Sequence, residues 1–205
     1  MIAFFNYFVK ITGWLPAFFI MRMKVSYENK KVQSRHIKGK AILVSNHTSV
    51  YDYACFLYLF FFRTLRYQMA EVLYKKKLLA LFLKCMGGIY VNRDSMDFSF
   101  IDKSKKILDK GGVVGVFPES RLPKEGEDRP LPFKESAVLL ALESDTPIIP
   151  IYTKGNYFSW SRTRVIIGTP INVRDYYDIK KTEKENIENL TNLLRDKVIE
   201  LGNKL

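Results

Sequence analysis

From residue 39 onward, short apolar runs bounded by turn residues alternate with segments of helical spacing, and nothing else in the chain constrains its fold so strongly. Strands that alternate with helices build a mainly parallel sheet covered on both faces, the α/β arrangement. The runs AILVS (41–45), TLRYQM (64–69), GIYVN (88–92), VVGVF (113–117), PIIPIY (147–152) and TRVIIG (163–168) predict strands. Helical spacing predicts helices over 50–62, 75–86, 97–109 and 134–144. Gly111 and Gly112 predict a left-handed C-terminal cap for the third of these helices. Thr182 with Glu185 predicts a capping box, opening a last helix whose stripe Ile187, Leu190, Leu194, Val198 and Leu201 faces a core. A chain of 205 residues suits one such domain, placed at 25–205, with a mixed, largely parallel central sheet flanked by helices.

Residues 1–24 differ from everything after them. MIAFFNYFVKITGWLPAFFIMRM is aromatic and aliphatic, interrupted by Asn6, Lys10, Thr12, Gly13 and Pro16. A secretory signal would carry a basic start and a small-residue cleavage site, and neither is present. A spanning helix needs about 20 apolar residues, and Lys10, Gly13 and Pro16 break this run near its middle. Two short helices lying in one leaflet fit the pattern, with Trp14 at headgroup depth and Lys10, Arg22 and Lys24 meeting anionic headgroups. Helices packed on the protein's own core are the competing reading, and the crowding of large side chains favours the membrane.

Hydrophobic residues make up 47% of the chain and aromatics 14%, which excludes a disordered tail. The formal net charge of +12 calls for a partner rich in phosphate or anionic lipid. Cys55 and Cys85 lie in apolar stretches as buried thiols, with no disulfide framework and no metal cluster in the pattern.

Four stretches carry chemistry. In VSNHTSVYD, His47 stands in a polar turn between a buried strand and an apolar helix, five residues before Asp52. Ser49 and Asp52 match a capping box, the plain reading of that carboxylate. On one helix the two residues would stand about 140° apart. With His47 in the turn ahead of the helix, its ring folds back on Asp52, which fixes one ring nitrogen and frees the other as a base. In GGIYVNRD a strand delivers Arg93 to its end, past two glycines suited to close backbone approach. In VFPESRLPKEG the loop residues Glu119, Ser120 and Arg121 follow Phe117 and Pro118 at a strand end, where α/β folds bind ligands. In TPIIPIY, Pro150 inside an apolar strand marks an edge or a bend beside a site.

Taken in order, these stretches resemble the glycerolipid acyltransferases of the 1-acyl-glycerol-3-phosphate acyltransferase (PlsC-like) type. Asn46, His47 and Asp52 match the family's first block, and Gly87 with Arg93 its second. Phe117, Pro118 and Glu119 match the third, with Arg121 shortly after, and Pro147 and Pro150 the fourth. The resemblance spans about residues 39–153. Ser120 stands where the family usually has glycine, Arg121 comes one place early, and Ala70 holds the place of a lysine often found on the second strand. Lys75, Lys76 and Lys77 read as a solvated basic face.

The resemblance implies direct acyl transfer from a thioester, acyl-CoA or acyl carrier protein, to the free hydroxyl of a lysophospholipid, foremost 1-acyl-glycerol-3-phosphate, with another lysolipid or glycerol phosphate as the alternative acceptor. In that scheme His47 is the general base, Asp52 its orienter, and backbone amides at the helix start stabilise the oxyanion. Arg93, Glu119, Ser120 and Arg121 hold the glycerol phosphate. It further implies no cofactor beyond the co-substrate, no metal, no nucleic-acid partner, and residence on the cytoplasmic face of a membrane. The chain has no Gly-x-Ser-x-Gly elbow, and neither cysteine has a polar setting. The rival classes are a basic membrane-binding adaptor without activity and a hydrolase that passes the acyl group to water.

Overall fold

The computed structural model describes residues 1–93 and 98–205. In chain order its elements are α1 (Ile2–Thr12), α2 (Trp14–Met21), β1 (Lys24–Tyr27), β2 (Ala41–Ser45), α3 (Asp52–Leu59), β3 (Leu65–Ala70), α4 (Lys77–Met86), β4 (Ile89–Val91), α5 (Ser99–Asp109), β5 (Val113–Val116), α6 (Ser136–Ser144), β6 (Ile148–Thr153), β7 (Arg164–Ile167) and α7 (Glu183–Asn203). The helix expected to start at residue 97 begins at Ser99, and residue 97 lies outside the described residues.

The seven strands form one sheet in the order β1-β7-β6-β2-β5-β3-β4. Every neighbouring pair is parallel except β6 with β7, so the sheet is mixed and largely parallel. Strand β2 shows why: all five of its residues are buried. Leu43 packs into a core with Met21 of α2, Phe56 of α3 and Leu83 of α4. Ile42 and Val44 point the other way, toward Leu108 of α5, Ala137 of α6 and Leu194 of α7. A strand buried on both faces reads as a continuous apolar run.

The caps follow local chemistry. Thr182 accepts from the Glu185 amide while Glu185 accepts from the Thr182 amide, the reciprocal capping box. Gly111 takes φ +75°, and its amide and that of Gly112 close on Leu108 and Ile107. Gly87 does the same for α4 at φ +80°, bonding Lys84 while Gly88 bonds Leu83. It is a helix cap, and the close approach made there is to the protein itself, since an added Cβ would overlap the side chains of Arg66 and Ile2.

Two elements differ from the sequence expectation. Strand β1 was not foreseen, because an edge strand paired only to β7 needs little apolar content and KVSY is half-buried at most. It also straddles the boundary drawn at residue 24. Strand β6, for which Pro150 marked an edge or a bend beside a site, is not at an edge and lies between β2 and β7. Proline is tolerated there because the β7 pairing covers only Ile151 to Thr153. Opposite Pro150 the Gly168 amide still donates to its carbonyl, at 2.8 Å, and only the reciprocal bond is missing.

Helices α1 and α2 are bent by 62° at Gly13, and neither alone is long and apolar enough to cross a membrane. The polarity of α1 is inside out, whereas α2 buries Ala17 and Met21. The buried residues of α1 are Asn6 and Lys10. The exposed ones include Phe4, Phe8 and Ile11, and on α2 Trp14, Leu15, Phe18 and Phe19. Lys10 therefore does not reach outward, as expected, to a headgroup. Its ammonium donates to the carbonyls of Phe60 (3.3 Å), Phe61 (2.9 Å) and Arg63 (2.6 Å), capping the end of α3. One turn earlier, Asn6 donates to the Met86 carbonyl at the end of α4 (2.9 Å). A helix C-terminus offers orphan carbonyls and a negative dipole end, which an ammonium answers well.

Lys10→Met keeps the stem and removes the cap. It is expected to lower the unfolding free energy by about 1.5–3 kcal/mol, the range for charge-assisted bonds. The exposed change Phe4→Ser should stay within about 0.5 kcal/mol. Denaturant titration of both variants in neutral detergent checks this, and equal effects would refute the cap.

Candidate active site

Strands β2, β5, β3 and β4 are parallel neighbours, so the residues that follow them emerge along one edge of the sheet. Such an edge is where open α/β sheets place ligands. It carries Asn46 and His47 after β2, Phe117 to Ser120 after β5, Glu71 after β3, and Arg93 just beyond β4.

Asp52, the first residue of α3, is completely buried. Its Oδ2 faces His47 Nδ1 at 2.9 Å and accepts the amides of Thr48 (2.6 Å) and Ser49 (2.9 Å). Oδ1 accepts the hydroxyls of Thr48 (2.9 Å) and Tyr157 (2.6 Å). The capping and the histidine-orienting readings are thus one arrangement: the carboxylate holds the turn and the ring together. With Nδ1 committed to Asp52, Nε2 is the nitrogen left to act. The imidazole is one-fifth exposed. Its ring stacks on Phe117 with centroids 4.3 Å apart, and Phe117 rests in turn on Phe56 and Tyr67.

Asn46 ties the site to the neighbouring strand. Its amide donates to the Thr153 carbonyl and accepts from the Thr153 amide, both at 2.8 Å, locking the ends of β2 and β6 together. Glu119 is buried, and the sequence expectation placed it on the substrate. Instead its two oxygens accept the amides of His47 (2.7 Å) and Leu131 (2.8 Å). Burial pushes this carboxyl above its ordinary range, against the pull of those two amides. It therefore braces the His47 turn. The same bonds revise the expected oxyanion donors, because the amides of His47, Thr48 and Ser49 are already taken by Glu119 and Asp52.

Arg93 sits between the second and third blocks. It donates to the Ser120 carbonyl at 2.6 Å and pairs with Glu71 at 3.0 Å. The hydrogen bond from Arg93 holds Glu71 well down, at about 2. Arg121, half exposed, forms a two-pronged pair with Glu127 at 2.7 Å for each prong, within its own loop. Ser120 adopts φ +62°, the left-handed region that glycine occupies without strain. Ala70 offers no charge in place of the family's lysine. Lys75, Lys76 and Lys77 are all exposed.

Sequence reasoning missed Tyr157, Thr48 and Glu71. Thr48 and Glu71 were readable in principle, as neighbours of His47 and Ala70. Tyr157 lies 105 residues from Asp52, and nothing local to it signals the contact. Cys55 is buried, and its burial pushes the thiol up to about 12, which rules it out as a nucleophile at neutral pH. Among the described residues, no group of three or more His, Cys, Asp or Glu is placed to hold a metal ion.

The sheet and its edge define an α/β protein with a buried aspartate orienting a histidine beside strand-end arginine. Residues 23–154 match the family described as Acyltransferase, well over half of the chain, and the chain belongs to that family. It is 27% identical over 173 residues to a 1-acyl-sn-glycerol-3-phosphate acyltransferase of Borreliella burgdorferi, covering 79% of this chain and 66% of that one. A Bacillus subtilis protein of the same name is 30% identical over 146 residues, covering 69% of this chain and 70% of that one. The fold resembles the crystal structure of the 1-acyl-sn-glycerophosphate acyltransferase PlsC from Thermotoga maritima. The TM-score is 0.64 at 21% identity, covering 98% of this chain and 79% of that one.

Two backbone positions should respond oppositely. Gly155 takes φ +63°, and an added Cβ would overlap the Thr48 side chain. Gly155→Ala should therefore cost about 1–2 kcal/mol in backbone strain alone and loosen Thr48 from Asp52. Ser120→Gly removes a left-handed serine, and its gain is trimmed by the freer unfolded chain, so stability should rise by up to about 1 kcal/mol. Paired thermal melts decide; a destabilised Ser120→Gly would mean that the serine hydroxyl is needed there.

Proposed function

We propose that this protein transfers an acyl group from a thioester donor, acyl-CoA or acyl carrier protein, to the free hydroxyl of 1-acyl-glycerol-3-phosphate, giving phosphatidic acid. The observation that carries the reading is the His47 Nδ1–Asp52 pair, which turns Nε2 into the free nitrogen at the same edge as Arg93. An alcohol attacks a thioester slowly until its proton is removed. His47 Nε2 takes that proton as the hydroxyl oxygen bonds to the carbonyl carbon. The carbon–sulfur bond then breaks, and the thiolate leaves with the proton that His47 returns. Asp52 holds the ring and stabilises the imidazolium. The acceptor phosphate is drawn to Arg93, with Ser120 and Arg121 alongside, and it competes with Glu71 for the Arg93 guanidinium and with Glu127 for that of Arg121. The names of the relatives in Borreliella burgdorferi and Bacillus subtilis support the acceptor assignment.

We also propose that α1 and α2 seat the protein in one leaflet. The support is that α1 buries Asn6 and Lys10 while Phe4, Phe8 and Ile11 stay exposed, although Phe5 and Val9 pack on the core. Helix α4 extends the same surface, with Leu78 and Leu81 exposed directly after the lysines at 75–77. Aliphatic and aromatic side chains flanked by lysine suit an interface.

His47→Ala and Asp52→Ala should each reduce turnover by about 10²–10⁴-fold, in an assay pairing both donors with a panel of lysolipids. Near-normal turnover in His47→Ala would sink the mechanism. Under the same assay Arg93→Ala should lower efficiency for the phosphate-bearing acceptor by about tenfold or more, with donor KM unchanged. A shift confined to the donor would move Arg93 to the other substrate.

The seating has its own check. Phe4→Ser with Phe8→Ser and Phe18→Ser leaves the Lys10 cap in place. That variant should lose vesicle flotation and activity on vesicle-borne acceptor, yet keep activity on a short-chain soluble acceptor. Retained flotation would return α1 and α2 to the role of packing helices.

A further inference from the structure

On the α2 side of the molecule lies a cavity of about 1060 Å³. None of His47, Asp52, Arg93, Ser120 or Arg121 lines it. Its wall is aromatic, with Trp14 and Phe18 from α2, Phe62 beyond α3, and Trp160 from the loop after β6. Arg22, Arg35 and Arg162 also line it, and among the described residues no carboxylate does. Three guanidiniums on an aromatic wall with no acidic partner are complementary to an anion that carries hydrocarbon.

The arginines are held so that donors remain. Arg22 gives one N–H to the Trp160 carbonyl at 2.8 Å, and Arg35 gives Nε to the Leu59 carbonyl at 3.0 Å and a longer contact to Tyr58. Each guanidinium has five N–H groups, so most still point elsewhere. Trp14 and Phe18 belong both to this wall and to the exposed face of α2, so an occupant is reached from the side that α1 and α2 present outward.

We propose that this cavity binds one anionic phospholipid of the bilayer, separate from the acyl acceptor. Its phosphate lies on Arg22, Arg35 and Arg162, and its chains lie along the aromatic wall. The site takes the seating of α1 and α2 in a leaflet as its starting point and does not depend on the acyl-transfer reaction. One side of it is the loop after β6, which also carries Tyr157, the residue bonded to Asp52. In that loop the Phe158 amide donates to the Ile20 carbonyl of α2 at 3.3 Å, and the Phe158 ring packs on Tyr51 at 4.8 Å. A lipid held there steadies the loop that completes the Asp52 cage.

The chain has two tryptophans, Trp14 and Trp160, and both line the cavity, so its own fluorescence reports occupancy. Full-length protein in neutral detergent micelles is titrated with phosphatidylglycerol bearing brominated chains, and separately with brominated phosphatidylcholine. The anionic lipid should quench at a mole fraction lower by about fivefold or more, the gain expected from a single basic residue meeting an anionic headgroup. Arg162→Glu should abolish that preference. Lys38→Glu, an equal charge reversal on an exposed residue three places from Arg35 and outside the lining, should retain it. Equal quenching by the two lipids overturns the site, as does equal loss in both variants, which would reduce it to general surface charge. Displacement of the brominated lipid by acyl-CoA more readily than by unbrominated phosphatidylglycerol would make it a donor subsite and overturn it too. Acyl transfer measured on the same samples separates the two proposals: active protein without a lipid preference refutes this one alone.

Discussion

A carboxylate with no exposure to water is tolerated only when its oxygens are met by donors, and the need to satisfy Asp52 organises much of this molecule. Its donors come from two distant places: the turn between β2 and α3, and Tyr157 beyond β6. They meet only because β6 runs beside β2, and the Asn46–Thr153 amide pair closes that seam at the same level. Removing one donor leaves a buried charge short of a partner, which is more damaging than the loss of an ordinary contact. The sheet order and the orientation of His47 are therefore one requirement.

The second buried carboxylate has a different task. Glu119 grips the His47 amide, so the histidine is held through its ring by one acid and through its backbone by another. This leaves the helix-start amides occupied and puts the site's free positive charge on arginine. Arg93 is itself balanced by Glu71, which the pair keeps ionised far below neutral pH. In the proposed reaction a phosphate arriving at this edge would exchange with a carboxylate already in place, and such an exchange favours a doubly charged anion over a neutral lipid headgroup.

The buried strands were legible because their residues are apolar on both faces, and AILVS matches β2 residue for residue. The last helix was legible from Thr182, Glu185 and its apolar stripe. Strand β1 was not, since pairing along one edge asks for backbone and little else. At the site, the local turn disclosed His47 and Asp52, whereas Tyr157 acts through a contact that only the finished sheet creates. Glu119 was found but given the wrong surroundings: the sequence showed a loop carboxylate, and only the fold showed that backbone amides enclose it. Arg121 was read as facing a ligand, yet Glu127, six residues on, engages it.

The N-terminal segment shows how a residue can be noticed and misread for one physical reason. Lys10 interrupts an apolar run, and in isolation an interruption reads as a break near the membrane surface. In the fold it is the polar side of an inverted helix, and its ammonium meets carbonyls at the end of α3 while Asn6 meets one at the end of α4. Helix α3 starts with Asp52, and the cap that ends α4 leads through β4 to Arg93. The elements that carry Asp52 and lead to Arg93 are thus terminated by the helix whose other face is apolar and exposed. Truncating α1 would remove its exposed apolar face and uncap both elements together, so loss of activity on truncation says nothing by itself about the proposed docking. Substitutions on the outward face alone can separate the two effects, because Lys10 and Asn6 point away from it.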